Sequence, residues 1–347
     1  MVRLGFVGGG WVTCNRHLPA AFAHPRAQSV GLVTKSPTSL WQEQSVLARK
    51  FGLRHFGYAM SEPWFMDGVD VAVIGTPPDT HYPLVMEALD LGKHVLVEKP
   101  FALTVAQADE MARKARRAGR LLGVVHNFQF AGATLRARQM VENGRIGRLR
   151  GVLGFQCSNQ ARRLPTWYRT LPLGLFTDES PHLLYLLRLF LGSALPQQVF
   201  VGPPLQAGDR TPHTVAAQFL AGDDAVGSLY MNFAAALSEW QFVLFGSQRT
   251  LLIDLFRDVL MELPNDGAHS PRQILMTSFH AVHTHLTGVL ASGMRHLSGR
   301  LDYGNRLLFH RFIEAVQEGA PHPPQDIAAE DGQAVVELMA QIGGRPG

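Results

Sequence analysis

The sequence predicts an α/β fold, with a doubly wound parallel sheet first and then an α+β domain carrying a large, open, mostly antiparallel sheet. Three observations carry this. Between Val2 and Val125, short apolar runs alternate with helical stretches at the spacing of parallel strands and crossover helices. The first run, Val2 to Val7, passes at once into Gly8-Gly9-Gly10-Trp11-Val12-Thr13 and then a helical stretch. After Asn127 the pattern changes to strands separated by turn residues. These place residues 1–125 in one domain and 126–347 in a second.

In order, the first domain reads as strand 2–7, helix 15–23, strand 29–33, helix 40–51, a short strand near 55–56, strand 69–74, a turn at 76–81 opening a helix to Leu91, strand 94–97, helix 105–118 and strand 121–125. The second reads as helix 133–143 stopped by Gly144, then strands 150–157, 199–201, 214–220, 225–233, 240–245, 250–254 and 259–262. Asp223 and Gly246-Ser247-Gln248 supply turns. A helix opens near Asp178, and the apolar run Leu183 to Leu195 reads as buried helix, too short to span a bilayer. Helices 307–316 and 327–342 close the chain, the last expected to pack back toward the first domain.

A chain of 347 residues, 46% hydrophobic, suffices for two ordinary cores. Its net charge of +4 is scattered, and the one dense cluster, Arg113 to Arg120, lies late in an amphipathic helix where cations face water and suit the dipole. That disfavours nucleic acid as a partner. Two cysteines, Cys14 and Cys157, make no disulfide framework, and no leader opens the sequence, so a soluble cytoplasmic protein is expected.

Gly8 and Gly10 occupy the first two positions of a dinucleotide fingerprint, where glycine allows a tight turn and close approach of a pyrophosphate to a helix N-terminus. With them Trp11 and Val12 become candidate cofactor contacts, and Thr13 stands where a third small residue is usual. The second strand ends in Thr34-Lys35-Ser36, with no carboxylate to bind ribose hydroxyls and a cation to bind a phosphate, so NADP is favoured over NAD. The run ending Glu98-Lys99-Pro100 stops a buried strand at a rim where ligands bind. Lys99 is one of only five lysines, and lysine can exchange a proton where arginine cannot. Asp178 and His182 lie four residues apart, so on a helix the carboxylate can orient the imidazole. His280, His283 and His285 have no acidic or cysteine partner nearby; they read as a surface or subunit contact, and no metal is expected.

The block Gly75-Thr76-Pro77-Pro78 with His81, then Gly92-Lys93-His94-Val95, Glu98-Lys99-Pro100 and Thr104, strongly resembles the Gfo/Idh/MocA family of NAD(P)-dependent oxidoreductases. Weaker matches at Gly144-Arg145-Ile146-Gly147, Asp178 to His182 and Glu330-Asp331-Gly332 extend the resemblance over almost the whole chain. It implies a Rossmann domain, with Thr76, Pro77, His81 and Glu98 at the cofactor, and a second domain whose sheet joins subunits as a homodimer or homotetramer. It also implies that Lys99 and His182 flank a substrate carbon facing the nicotinamide, with His182 exchanging a proton and Lys99 hydrogen-bonding the same oxygen. The substrate implied is sugar-derived or cyclitol-like.

The sequence departs from the family pattern at Tyr185, where an acidic residue is usual, and at His126 to Phe130, which lacks the usual arginine, so Asn127 and Tyr185 point away from a standard inositol or glucose. Arg163, Trp167, Tyr168 and Arg169 would suit an anionic polyol or sugar nucleotide. A redox-assisted lyase or glycosidase, recycling tightly held NAD, would carry the same residues. A non-catalytic NAD(P)-binding regulator would need neither Lys99 nor His182.

Overall fold

A computed structural model describes residues 1–35, 46–162, 164–222 and 225–344. They form two compact units, Met1–Asn127 with Gly304–Glu337, and Phe128–Tyr303 with Leu338–Gly347. The segment Gly304–Glu337, inside the 126–347 domain that the sequence predicts, groups with the first unit, and with it the start of the closing helix expected to pack back toward that domain.

In the first unit β1 (Val2–Val7), β2 (Ala27–Val33), β3 (His55–Gly57), β4 (Val71–Ile74), β5 (His94–Val97) and β6 (Leu122–Val124) pair in parallel in the order β3-β2-β1-β4-β5-β6. Every residue of β4 is buried, as a parallel sheet covered on both faces requires. Helices α1 (Leu18–Phe22), α2 (Pro63–Gly68), α3 (His81–Asp90) and α4 (Val105–Ala118) supply the cover. In α4 the Thr104 side chain accepts a hydrogen bond from the Gln107 N–H, and Ala108, Met111, Ala112 and Ala115 form the buried stripe. Arg113, Arg116 and Arg117 therefore face water, as the charge pattern predicts. Helix α8 (Asn305–Gln317) packs on α1 and β1, and the Ile327 carbonyl accepts from the Val124 N–H at 2.8 Å. The strand order reverses between β1 and β4, so the crevice above their carboxyl ends is the expected ligand site.

In the second unit β7 (Leu149–Asn159), β8 (Ala194–Val201), β9 (Thr214–Ala221), β10 (Ala225–Ala235), β11 (Glu239–Gly246), β12 (Arg249–Asp254) and β13 (Val259–Pro264) follow the order β13-β12-β11-β7-β10-β9-β8. All neighbours are antiparallel except β7 and β10. Helix α5 (Gly132–Glu142) packs on β12 and β13, and α6 (Leu175–Leu191) on β7 and β10. The helix expected to reach Leu195 stops at Leu191, because Gly192 caps it and Ala194 already pairs in β8. A 27-residue helix, α7 (Pro271–Leu297), fills a stretch the sequence reading assigned to no element. A last helix, α9 (Ala329–Gly343), belongs to the first unit through Glu337 and to the second from Leu338. Among the described residues no helix is long and apolar enough to cross a membrane.

Candidate active site

The carboxyl end of β1 turns at Gly8, whose φ of 95° suits glycine. A Cβ there would lie 2.6 Å from Thr76 Cγ2 and 2.9 Å from the Gly75 carbonyl, so the β1 and β4 turns are in contact at the switch point. At Gly10 a Cβ would meet the Gly75 carbonyl at 3.9 Å, an ordinary van der Waals contact, so this backbone is uncrowded. That uncrowded glycine backbone at the start of a helix, whose first N–H groups lack intrahelical acceptors, fits a dinucleotide pyrophosphate. Trp11 is exposed and Val12 half-buried beside it, with the Arg16 guanidinium 5.2 Å from the Trp11 ring centroid. Thr13, the departure from the fingerprint, is accommodated because it faces Gly75; a Cβ at Gly75 would fall within van der Waals distance of Thr13 Oγ1. Thr13–His17 form a π turn leading into α1, which carries His17 inward. At the end of β2, Thr34 is half-buried and Lys35 exposed; Ser36 lies outside the described residues.

His17 is a partner that sequence reasoning missed. Its fully buried Nε2 donates to Glu98 Oε1 at 2.8 Å, and Glu98 Oε2 accepts from the Lys99 backbone N–H at 3.0 Å. Burial alone would raise the Glu98 carboxyl, but the His17 hydrogen bond, aided by the charges of His17, Lys99 and His81, holds it below the usual carboxylate range. Glu98, expected at the cofactor, is thus held inside the protein and fixes the peptide that presents Lys99, which is half-buried at the rim. His81, also expected at the cofactor, is fully buried. Its Nδ1 lies 2.8 Å from the Pro100 carbonyl and its Nε2 2.9 Å from the Thr76 carbonyl. It ties the Thr76-Pro77 turn to the Lys99-Pro100 turn, and burial pushes its pKa down against the pull of those two carbonyls. Asn127 ends the main segment of this unit, half-buried.

In the second unit His182 stands on α6 among aromatic rings: Phe128 at 5.0 Å, Trp240 at 5.2 Å and Tyr185 at 5.6 Å between centroids. His182 Nδ1 lies 2.8 Å from the Tyr185 hydroxyl, which also accepts from the Phe128 N–H at 3.1 Å. At Nδ1, where the sequence predicts Asp178 to orient the ring, stands the hydroxyl of Tyr185, which leans back over the preceding turn as helical side chains do. The Tyr185 ring is buried and its hydroxyl meets His182. Burial pushes the Arg162 guanidinium down from its ordinary value, and Asp178, half-buried in the first turn, opposes this by favouring the charged form. Its neighbour Glu179 is buried and accepts from Gln156 Nε2, from Ser158 Oγ at 3.0 Å and from Arg162, joining α6 to β7. Tyr168 is buried under the Arg169 guanidinium, Trp167 is half-buried, and Arg163 lies outside the described residues. Replacing Tyr185 with Phe is expected to lower turnover about tenfold with little change in folding, because a positioning bond is lost while the ring remains. Unchanged steady-state kinetics would remove Tyr185 from the site.

His24, His310 and Glu314 bring potential metal ligands within 4.8 Å of one another. His24 Nδ1, however, accepts from the Arg26 N–H at 3.1 Å, which takes up that lone pair and puts the proton of the neutral ring on Nε2.

The fold and the glycine turn define a dinucleotide-binding protein. Residues 2–126 match the model of the oxidoreductase family NAD-binding Rossmann fold, and residues 134–252 that of the GFO/IDH/MocA C-terminal domain. The chain belongs to the Gfo/Idh/MocA family. It is 31% identical over 149 residues to an uncharacterized oxidoreductase, YdgJ, of Escherichia coli K12, covering 42% of this chain and 40% of that one. Against D-xylose dehydrogenase of Paenarthrobacter nicotinovorans it is 24% identical over 285 residues, 74% of this chain and 70% of that one. Levoglucosan dehydrogenase in complex with NADH has the same fold, with a TM-score of 0.77 at 18% identity over 98% of this chain and 95% of that one. The match to the Escherichia coli relative thus spans less than half of that protein's length.

Proposed function

We propose that the protein is an NAD(P)-dependent dehydrogenase or reductase that moves hydride between the nicotinamide and a carbinol or carbonyl carbon of a sugar-derived or cyclitol-like substrate. The observation that carries this is the Gly8–Gly10 turn, uncrowded at Gly10, in the same unit as a Lys99 whose peptide is fixed by Glu98 and His17. The dinucleotide supplies the hydride acceptor or donor when bound. Lys99 donates a hydrogen bond to the reacting oxygen and stabilises the charge that develops on it. His182, braced at Nδ1 by Tyr185, exchanges a proton with that oxygen through Nε2. A substrate named for the relatives, a pentose or an anhydrosugar, supports the substrate class.

NADP is the preferred cofactor in this reading, because Lys35 is exposed at the end of β2 and no carboxylate stands beside it at Thr34. The reading also takes the protein to be cytoplasmic, with both cysteines free. Assembly as a homodimer or homotetramer is supported by the outer face of the second sheet, which exposes Phe200, Leu220, Tyr230 and Phe245. The test is a fluorescence titration with NADPH and NADH, followed by a screen of polyols and keto-sugars for net change in nicotinamide absorbance. NADPH is expected to bind more tightly, and Lys35→Asp to reduce that preference by about tenfold. Tight binding without net redox on any substrate would overturn the dehydrogenase reading; equal affinities would overturn the NADP preference.

A further inference from the structure

The outer face of α7 is an apolar surface that the proposed function leaves unused. Ser292 is its one buried residue. Near its C-terminal end the helix rests on the β12–β13 turn, where the Ser292 hydroxyl donates to the Arg257 carbonyl and a Cβ on Gly288 would lie 2.6 Å from Val259 Cγ1. On the side roughly opposite those contacts stand Leu275, Phe279, Val282, Leu286, Leu290 and Leu297, all exposed, within an arc of about 80° at 100° per residue. Phe279 is 64% and Leu297 89% exposed. A helix whose water-facing side is its apolar side lacks a partner.

We infer that this face pairs α7 with α7 of a second copy of the chain, antiparallel across a two-fold axis at Leu286. Three observations select this occupant. With Met276 and Met294 at its edges, the face offers on the order of 1,000 Å² of apolar surface, comparable to the about 800 Å² each partner contributes to a standard interface. The pattern is self-complementary, as an isologous contact requires: Leu275, Leu286 and Leu297 recur every eleven residues, so reversing the helix about Leu286 exchanges the outer two. An eleven-residue repeat keeps the seam nearly straight over the helix length, and the antiparallel arrangement opposes the helix dipoles. A bilayer is the weaker occupant, because interfacial helices are rich in lysine and arginine. Here there are two arginines and no lysine, and Arg295 is paired with Asp258 Oδ2 at 3.3 Å. This contact is separate from the exposed sheet face and does not depend on the catalytic reading.

Cysteine cross-linking of the full chain tests it. Leu286→Cys would face its own copy at the axis and is expected to become mostly covalent dimer under mild oxidation. The unsubstituted chain, with Cys14 and Cys157, and an Ile274→Cys variant, off the arc, are expected to cross-link at least tenfold less. A mixture of Leu275→Cys and Leu297→Cys chains should yield the mixed dimer, which distinguishes antiparallel from parallel pairing. Leu286→Glu, with its circular dichroism unchanged, should lower the weight-average mass in sedimentation. Cross-linking of Leu286→Cys no greater than that of Ile274→Cys overturns the inference. So does co-pelleting of the unsubstituted protein with phosphatidylglycerol vesicles without self-association.

Discussion

Replacing Lys99 with Met is expected to lower turnover by about a hundredfold to ten-thousandfold while leaving dinucleotide affinity within a few fold. The substitution is informative because the fold holds this position through the backbone. Glu98 Oε2 grips the Lys99 N–H, His17 grips Glu98, and His81 grips the Pro100 carbonyl, and none of these bonds uses the lysine side chain. Methionine keeps the length and apolar stem and removes only the ammonium. A loss confined to kcat therefore reports the charge and proton at the reacting oxygen, while a loss of dinucleotide binding would mean that Lys99 serves the cofactor. Lys99→Arg separates charge from proton transfer, since the guanidinium stays protonated at any working pH and is too broad for an ammonium site. Both variants should be measured by fluorescence titration and by initial rates. Near-normal turnover in Lys99→Met would remove the residue from the mechanism.

The parallel sheet was legible because its signal is local: apolar runs, glycine turns and helical periods each lie within a few residues, and Gly8 and Lys99 carry their chemistry in adjacent positions. What holds them is not local. His17 meets Glu98 across 81 residues and Phe128 meets Tyr185 across 57, and no spacing rule connects such pairs. Asp178 and Tyr185 both lie within reach of His182 by helical spacing, four residues before and three after. Sequence favours the carboxylate, while the hydroxyl at the ring accepts from the Phe128 N–H, which comes from a distant segment. Helix α7 was missed for a different reason. Its apolar residues follow a helical period but face water, while the residues against β13 are small, so the pattern does not mark a core-facing helix.

Glu179→Ala is expected to destabilise the second unit by about 3 kcal/mol, the lower end of the range for breaking a buried ion pair. Glu179 is the acceptor for Gln156 Nε2, Ser158 Oγ and Arg162, so its removal takes the carboxylate from three donors at the first turn of α6, of which Gln156 Nε2 keeps a bond to Ser158 Oγ at 3.4 Å. The cost stays at the lower end because the Arg162 side chain is 28% exposed and Asp178 can take up part of its charge. The contribution is one of position as much as stability, because the same turn sets the register of α6 and therefore the place of His182 three residues on. A double variant, Glu179→Leu with Arg162→Leu, is expected to recover more than half of the loss, since an apolar pair leaves no buried charge without its partner. Urea denaturation followed through the Trp240 environment measures the first effect, and the double-mutant cycle the second. If Glu179→Ala unfolds at the same urea concentration as the unsubstituted chain, then solvent already satisfies Arg162 and the carboxylate does not anchor the helix. If the double variant is the less stable of the two, the pair contributes net stability that its desolvation does not cancel.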